Sequence, residues 1–244
     1  MRLAHDVAGD GPTVVLLHST VCDRRMWAPL TPTLVAAGFQ VIACDLAGFG
    51  ESPVPEVAYN DADEVAALFD RAALIGSSGG GGVAIEVAAR FPDRVTALGL
   101  LCTALPGFPV GPERRAFGER EDALLAAGDL EGATALNVDF WVGPEASSET
   151  RSLVGTMQRH NFEVQSDNAT EIDHPYEPSA ITAPTLLVSG AHDVPEFTAI
   201  ATHLAEVLPR AEHRHLDWAG HLPSLERPDL LNPILLDFLA RTRA

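Results

Sequence analysis

Apolar residues in this chain fall into short unbroken runs, separated by stretches with helical spacing. The runs at 13–17 (TVVLL), 39–44 (FQVIAC), 72–76 (AALIG), 95–102 (VTALGLLC) and 185–189 (TLLVS) are rich in leucine and β-branched residues. Such continuous runs predict strands buried on both faces, as in a parallel sheet. A further strand is predicted at 213–216. Helical spacing is read at 26–37, 83–91, 200–208 and 230–239. Gly38 is a suitable stop for the first helix and Pro92 ends the second. Strands alternating with helices predict an α/β protein with a mostly parallel, doubly wound sheet.

The rhythm breaks between about 104 and 180. Helical segments are read there at 123–127, 133–142 and 152–162, joined by loops rich in Pro, Gly and Glu. The expectation is one domain over 1–244, with 104–180 as a helical cap inserted between two strands. Phe140, Trp141, Met157 and Phe162 are candidate apolar linings of the site below, or the core of the insertion itself. Trp141 is the chosen candidate for substrate contact.

The 244 residues are 46% hydrophobic, enough for one sizeable core. The net charge of −18 disfavours nucleic acid, which needs a basic footprint. It also weighs against an anionic membrane surface. Cys22, Cys44 and Cys102 are few, odd in number and far apart, so a disulfide scaffold is not expected. The first residues show no apolar signal core, and no apolar run reaches membrane-spanning length. A cytoplasmic protein acting on a small molecule is expected, with its oligomeric state left open.

Chemistry enters at 76–80. The strand 72–76 runs into Gly76-Ser77-Ser78-Gly79-Gly80 and a helix follows. This is Gly-x-Ser-x-Gly in a strand–turn–helix context, where the sharp turn brings residues two before and two after the serine into collision unless they are glycine. Only Ser78 fits the register. A phosphate loop would need a lysine after the glycines, and Val83 stands there.

A serine hydroxyl needs a base within reach, and the base needs an orienting carboxylate. Asp193 follows strand 185–189 and His221 follows strand 213–216, so both fall at carboxyl ends of strands, where open α/β sheets bind ligands. Ser78, Asp193 and His221 are therefore the candidate nucleophile, acid and base. Asp217 competes as the acid but lies close to His221 in sequence. His213 and His215 alternate on one strand and are read as exposed rather than metal-binding. For the oxyanion, the backbone N–H groups of Gly79 and Thr20 are the candidates. His18 is read as a brace for that loop. Arg24 and Arg25 are candidate partners for a substrate carboxylate, or surface arginines.

The segments LLHSTVCDRRMW (16–27), CDLAGFGESP (44–53), LIGSSGGGGVAIEVAARFPDRV (74–95), APTLLVSGAHD (183–193) and AGHLPSLERPDLL (219–231) together resemble the α/β-hydrolase superfamily. The branch is the serine-nucleophile one that includes small carboxylesterases and 3-oxoadipate enol-lactonases. The resemblance implies an α/β-hydrolase fold and a serine esterase or lactonase working through an acyl-enzyme, with no cofactor or metal. C–C bond hydrolysis, cofactor-free perhydrolysis and a ligand-binding receptor share the same residues and stay open. The resemblance differs at Ser19, where the family usually has glycine. That places the oxyanion loop among the features to be tested by structure.

Overall fold

The computed structural model describes residues 3–165 and 170–243. Seven strands form one sheet in the order β1-β3-β2-β4-β5-β6-β7. They are β1 (His5–Ala8), β2 (Thr13–Leu17), β3 (Gln40–Cys44), β4 (Ala72–Ser77), β5 (Val95–Leu101), β6 (Thr185–Gly190) and β7 (Ala211–Leu216). β1 pairs antiparallel with β3, and the remaining pairs are parallel. The chain thus has the α/β-hydrolase fold.

Every residue of the central strands β4 and β6 is buried. That is the packing expected of strands covered on both faces. Edge strand β7 is only partly buried. The helices are α1 (Thr31–Ala36), α2 (Asp61–Ala66), α3 (Gly79–Arg90), α4 (Pro112–Ala126), α5 (Leu130–Trp141), α6 (Ser148–Val164), α7 (Pro195–Val207), α8 (Pro223–Glu226) and α9 (Pro228–Thr242).

The helix read at 26–37 is two pieces, a 3-10 turn over Arg24–Trp27 and then α1. Pro29 and Pro32 fall in or beside this stretch, and each removes a backbone donor that a continuous helix needs. Between β5 and β6 the chain leaves the sheet and forms α4, α5 and α6. Of the stretch assigned to the insertion, 166–169 lie outside the described residues. The insertion is fastened to the sheet side where Tyr59 N–H donates to Thr170 O at 3.0 Å and Ile172 N–H donates to Tyr59 O at 2.6 Å.

Four adjacent strands, β4 to β7, are parallel, so their carboxyl ends line one rim. The exits of β4, β5, β6 and β7 carry Ser78, Cys102, Asp193 and His221. The sheet order therefore gathers residues that are 143 positions apart in the chain, counting from 78 to 221.

Candidate active site

Ser78 sits between β4 and α3 with φ 52° and ψ −118°. A non-glycine residue in this region costs about 1–3 kcal/mol and persists only where its surroundings hold it. The hold is visible. Ser78 N–H donates to Leu101 O at 3.0 Å, and Ser78 O accepts from Gly81, Gly82 and Ala104 N–H at 2.9, 3.2 and 3.0 Å. A Cβ on Gly76 would lie 2.5 Å from Gly80 O, and one on Gly80 would lie 2.3 Å from His18 O. The two glycines of the motif are thus required sterically. Ser78 is 6% exposed.

His221 Nδ1 faces both carboxylate oxygens of Asp193, at 3.0 and 2.9 Å. The two side chains are 2% and 1% exposed. Asp193 also accepts from Val194 N–H at 2.7 Å. With Nδ1 taken, Nε2 is the ring atom left to exchange a proton. Among the described residues, His221 has no hydrogen bond to Ser78, and Asp217 has none to His221. The Cys102 thiol lies beside this pair: its Sγ, the Asp193 carboxylate and a His221 ring nitrogen are within 4.8 Å of one another. Burial, and next the Asp193 charge, push the thiol well above its ordinary pKa, so it stays protonated.

Glu226 carries a role that the sequence reading missed. Its Oε1 accepts from Leu222 N–H at 2.9 Å and from Gly143 N–H at 3.3 Å, and its Oε2 accepts from Gly220 N–H at 2.7 Å. The carboxylate therefore grips the backbone on both sides of His221 and ties it to the end of α5. Burial raises its pKa, and the three N–H bonds oppose that shift. The only signal in the sequence was a charged residue five positions after the histidine in an apolar stretch.

The loop after β2 is built around His18. Leu46 N–H donates to His18 Nε2 at 2.9 Å, so Nδ1 carries the proton and donates to Ser19 O at 2.9 Å. Burial, first among its influences, lowers the His18 pKa and keeps the ring neutral. This is the bracing expected of it. Ser19 is not among the described non-glycine residues at positive φ, which are Ser78 and Cys102. Serine therefore serves there without strain. Among the described residues, no backbone hydrogen bond uses the N–H of Thr20 or of Gly79. The two residues touch, since a Cβ on Gly79 would meet Thr20 Cγ2 at 2.5 Å.

Trp141, at the end of α5, reaches the histidine. Its ring lies 4.5 Å from that of His221, and Phe197 flanks the imidazole at 4.3 Å. Trp141 is only 8% exposed and also packs on Phe117, Phe140 and Phe197. Met157 is fully buried and Phe162 half-buried. Arg24 is engaged by Asp6, Asp45 and Glu51, and Arg25 by Asp23. Both arginines line a cavity of about 550 Å³ that includes none of Ser78, Asp193 or His221. His213 and His215 share the Ser189 hydroxyl at 2.8 and 2.9 Å, and His213 is half-buried rather than exposed.

Residues 14–234 match the profile of the Alpha/beta hydrolase family. A Pantoea ananatis protein provisionally named carbamate hydrolase RutD is 28% identical over 95% of this chain and 90% of the relative. A thermophilic esterase from Thermogutta terrifontis superposes with a TM-score of 0.79 at 23% identity, covering 99% of this chain and 94% of that one. The enol-lactonase of Burkholderia xenovorans LB400 gives a TM-score of 0.75 at 23% identity, covering 98% and 96%.

Proposed function

Because the chain belongs to the Alpha/beta hydrolase family, we propose that it hydrolyses small carboxylic esters or lactones through an acyl-enzyme on Ser78. His221 Nε2 takes the proton of the Ser78 hydroxyl as its oxygen attacks the substrate carbonyl. The ring carries a positive charge at that moment, and Asp193 stabilises it and fixes the tautomer. The unused N–H groups of Thr20 and Gly79 receive the oxyanion. His221 then gives its proton to the leaving oxygen as that bond to the acyl carbon breaks. It next takes a proton from water as the water oxygen attacks the acyl carbon, and returns it to Ser78 Oγ as the acyl–Ser78 bond breaks and the acid leaves.

The observation that carries this reading is a buried His221–Asp193 pair and a serine held at φ 52°, both at strand exits on the same rim. Donor–acceptor contacts between serine and histidine are often long before substrate binds and tighten in the complex. Trp141 and Phe197 exclude water from the imidazole faces, which strengthens the charge interactions inside. The insertion thereby acts as the cap of the site.

The test is a nitrophenyl phosphonate probe followed by peptide mapping. A single adduct at Ser78, absent from Ser78→Ala, together with turnover of nitrophenyl esters or lactones, is expected. No adduct at Ser78 overturns the acyl-enzyme. An adduct with no turnover of any ester favours C–C hydrolysis or a receptor instead.

A further inference from the structure

Ser78 and the His221–Asp193 pair share no hydrogen bond among the described residues, yet one short segment touches both. It is 101–104, where the chain leaves β5. Leu101 O accepts from Ser78 N–H at 3.0 Å, and Ala104 N–H donates to Ser78 O at 3.0 Å. Thr103 lies against the first turn of α3, where a Cβ on Gly81 would collide with its Oγ1. Three of the four residues are thus tied to the nucleophile turn.

Cys102 reaches the other way. Its φ is 43°, and Ser78 is the other described non-glycine residue at positive φ. That conformation is sparsely populated for a residue with a side chain. It is held by the Cys102 N–H, which donates to Val188 O of β6 at 2.8 Å. The fully buried side chain ends beside the acid and the base. Its Sγ donates to Gly220 O, in the residue before His221, at 3.5 Å. The Asp193 carboxylate is a second acceptor for the same proton, and the Gly190 N–H at the end of β6 faces the sulfur as a donor. One thiol therefore meets the strand exit that carries the acid and the loop that carries the base.

This thiol is no second nucleophile. It is fully buried and keeps its proton, whereas sulfur reactivity belongs to the exposed thiolate. It acts as a weak donor, and both of its acceptors belong to the acid–base pair or its loop.

We propose that Cys102 is a positioning residue for the hydrolysis, its side chain fixing where the Asp193–His221 pair sits relative to the Ser78 turn. The inference rests on the acyl-enzyme reading given above. Segment 101–104 is the link: its backbone holds the serine, and its one residue at positive φ holds the pair. A general base must come within about 2.6–3.2 Å of the atom whose proton it takes. A misplacement of about 1 Å can cost roughly 10²-fold in rate.

The experiment compares Cys102→Ala, Cys102→Gly and Cys102→Ser with the wild type. It reads kcat and KM for a nitrophenyl ester and the rate at which a phosphonate probe labels Ser78. Alanine removes the donor and keeps the strained backbone. Glycine removes both, and it suits positive φ, so this variant should fold even where alanine does not. Serine restores a donor. In Cys102→Ala and Cys102→Gly, kcat and the labelling rate should fall about tenfold with KM little changed, the rate equivalent of one hydrogen bond. Cys102→Ser should recover most of that loss. Wild-type kcat in the alanine and glycine variants overturns the inference. So does a loss that serine fails to restore, or one confined to KM. Each of these leaves the hydrolase reading standing as long as the wild type is labelled at Ser78 and turns over the ester. No label at Ser78 in the wild type overturns the acyl-enzyme, and this inference with it.

Discussion

On the rim of the sheet, the turn at Ser78 is held by four backbone hydrogen bonds, from Leu101 on one side and Gly81, Gly82 and Ala104 on the other. The loop at His221 is gripped by a buried carboxylate, and His18 has both ring nitrogens occupied. The inner face of α6 differs. It packs through Val154 and Met157, yet leaves Gln158 Oε1 and Asn161 Oδ1 without partners. The Ser78 turn and the His221 loop are thus held by hydrogen bonds from within the protein, although among the described residues the rim also leaves the Ser19 and Ser77 hydroxyls unpaired. The insertion meets the rim through the Trp141 ring, which packs against His221. That division suits a hydrolase whose chemistry requires sub-ångström placement and whose selectivity requires a surface that can be altered without disturbing the rim.

The largest effect expected on the rim is from Ser78→Ala. It should lower kcat for a nitrophenyl ester by at least ~10³-fold, and near-normal activity would remove the serine from the chemistry. Asp193→Asn should cost about 10²–10⁴-fold in kcat, because it favours the wrong His221 tautomer while preserving shape. A loss seen only in KM would count against that role.

Glu226→Gln sharpens the contrast further. It puts an NH2 group against one of three backbone donors, so the His221 loop should shift slightly. We expect kcat to fall about 10–10²-fold with KM little changed. An unaltered kcat in a normally folded variant would make Glu226 merely structural.

The smallest effect is one of stability, away from the rim. Burial raises the Asp61 carboxyl to about 7, against about 3.9 in an unfolded chain. Below about pH 4 both states are protonated and Asp61 imposes no penalty. Between there and about pH 7 the unfolded chain releases the proton first, so stability falls as pH rises, and the penalty is constant above. Asp61→Asn keeps the acceptor for Ala47 N–H. It should match wild type near pH 4 and melt higher at pH 8, by about 2–4 °C for each kcal/mol recovered. Equal melting temperatures at pH 8 would reject the shift.

Ser78 was legible because its rule is local: glycines two residues either side, where the backbone at Gly80 would strike any Cβ at Gly76. Asp193 and His221 were legible by position, each following an apolar strand run. Strand β1 was not read, since its four residues are only partly buried and lack an apolar run. Glu226, Asn161 and Phe197 gave no pattern of their own. Their partners lie far along the chain, 83 positions from Glu226 to Gly143 and 139 from Asn161 to Cys22.

Hydrophobic patterning and one glycine-bounded turn determined the fold and the rim on which Ser78, Asp193 and His221 lie, because both follow from short-range sterics and burial. Only the folded chain decided which groups brace the histidine and which polar atoms on α6 stay unpaired. Hydrogen-bond satisfaction is a property of the assembled interior. It depends on every element that packs around an atom, and no segment read alone contains it.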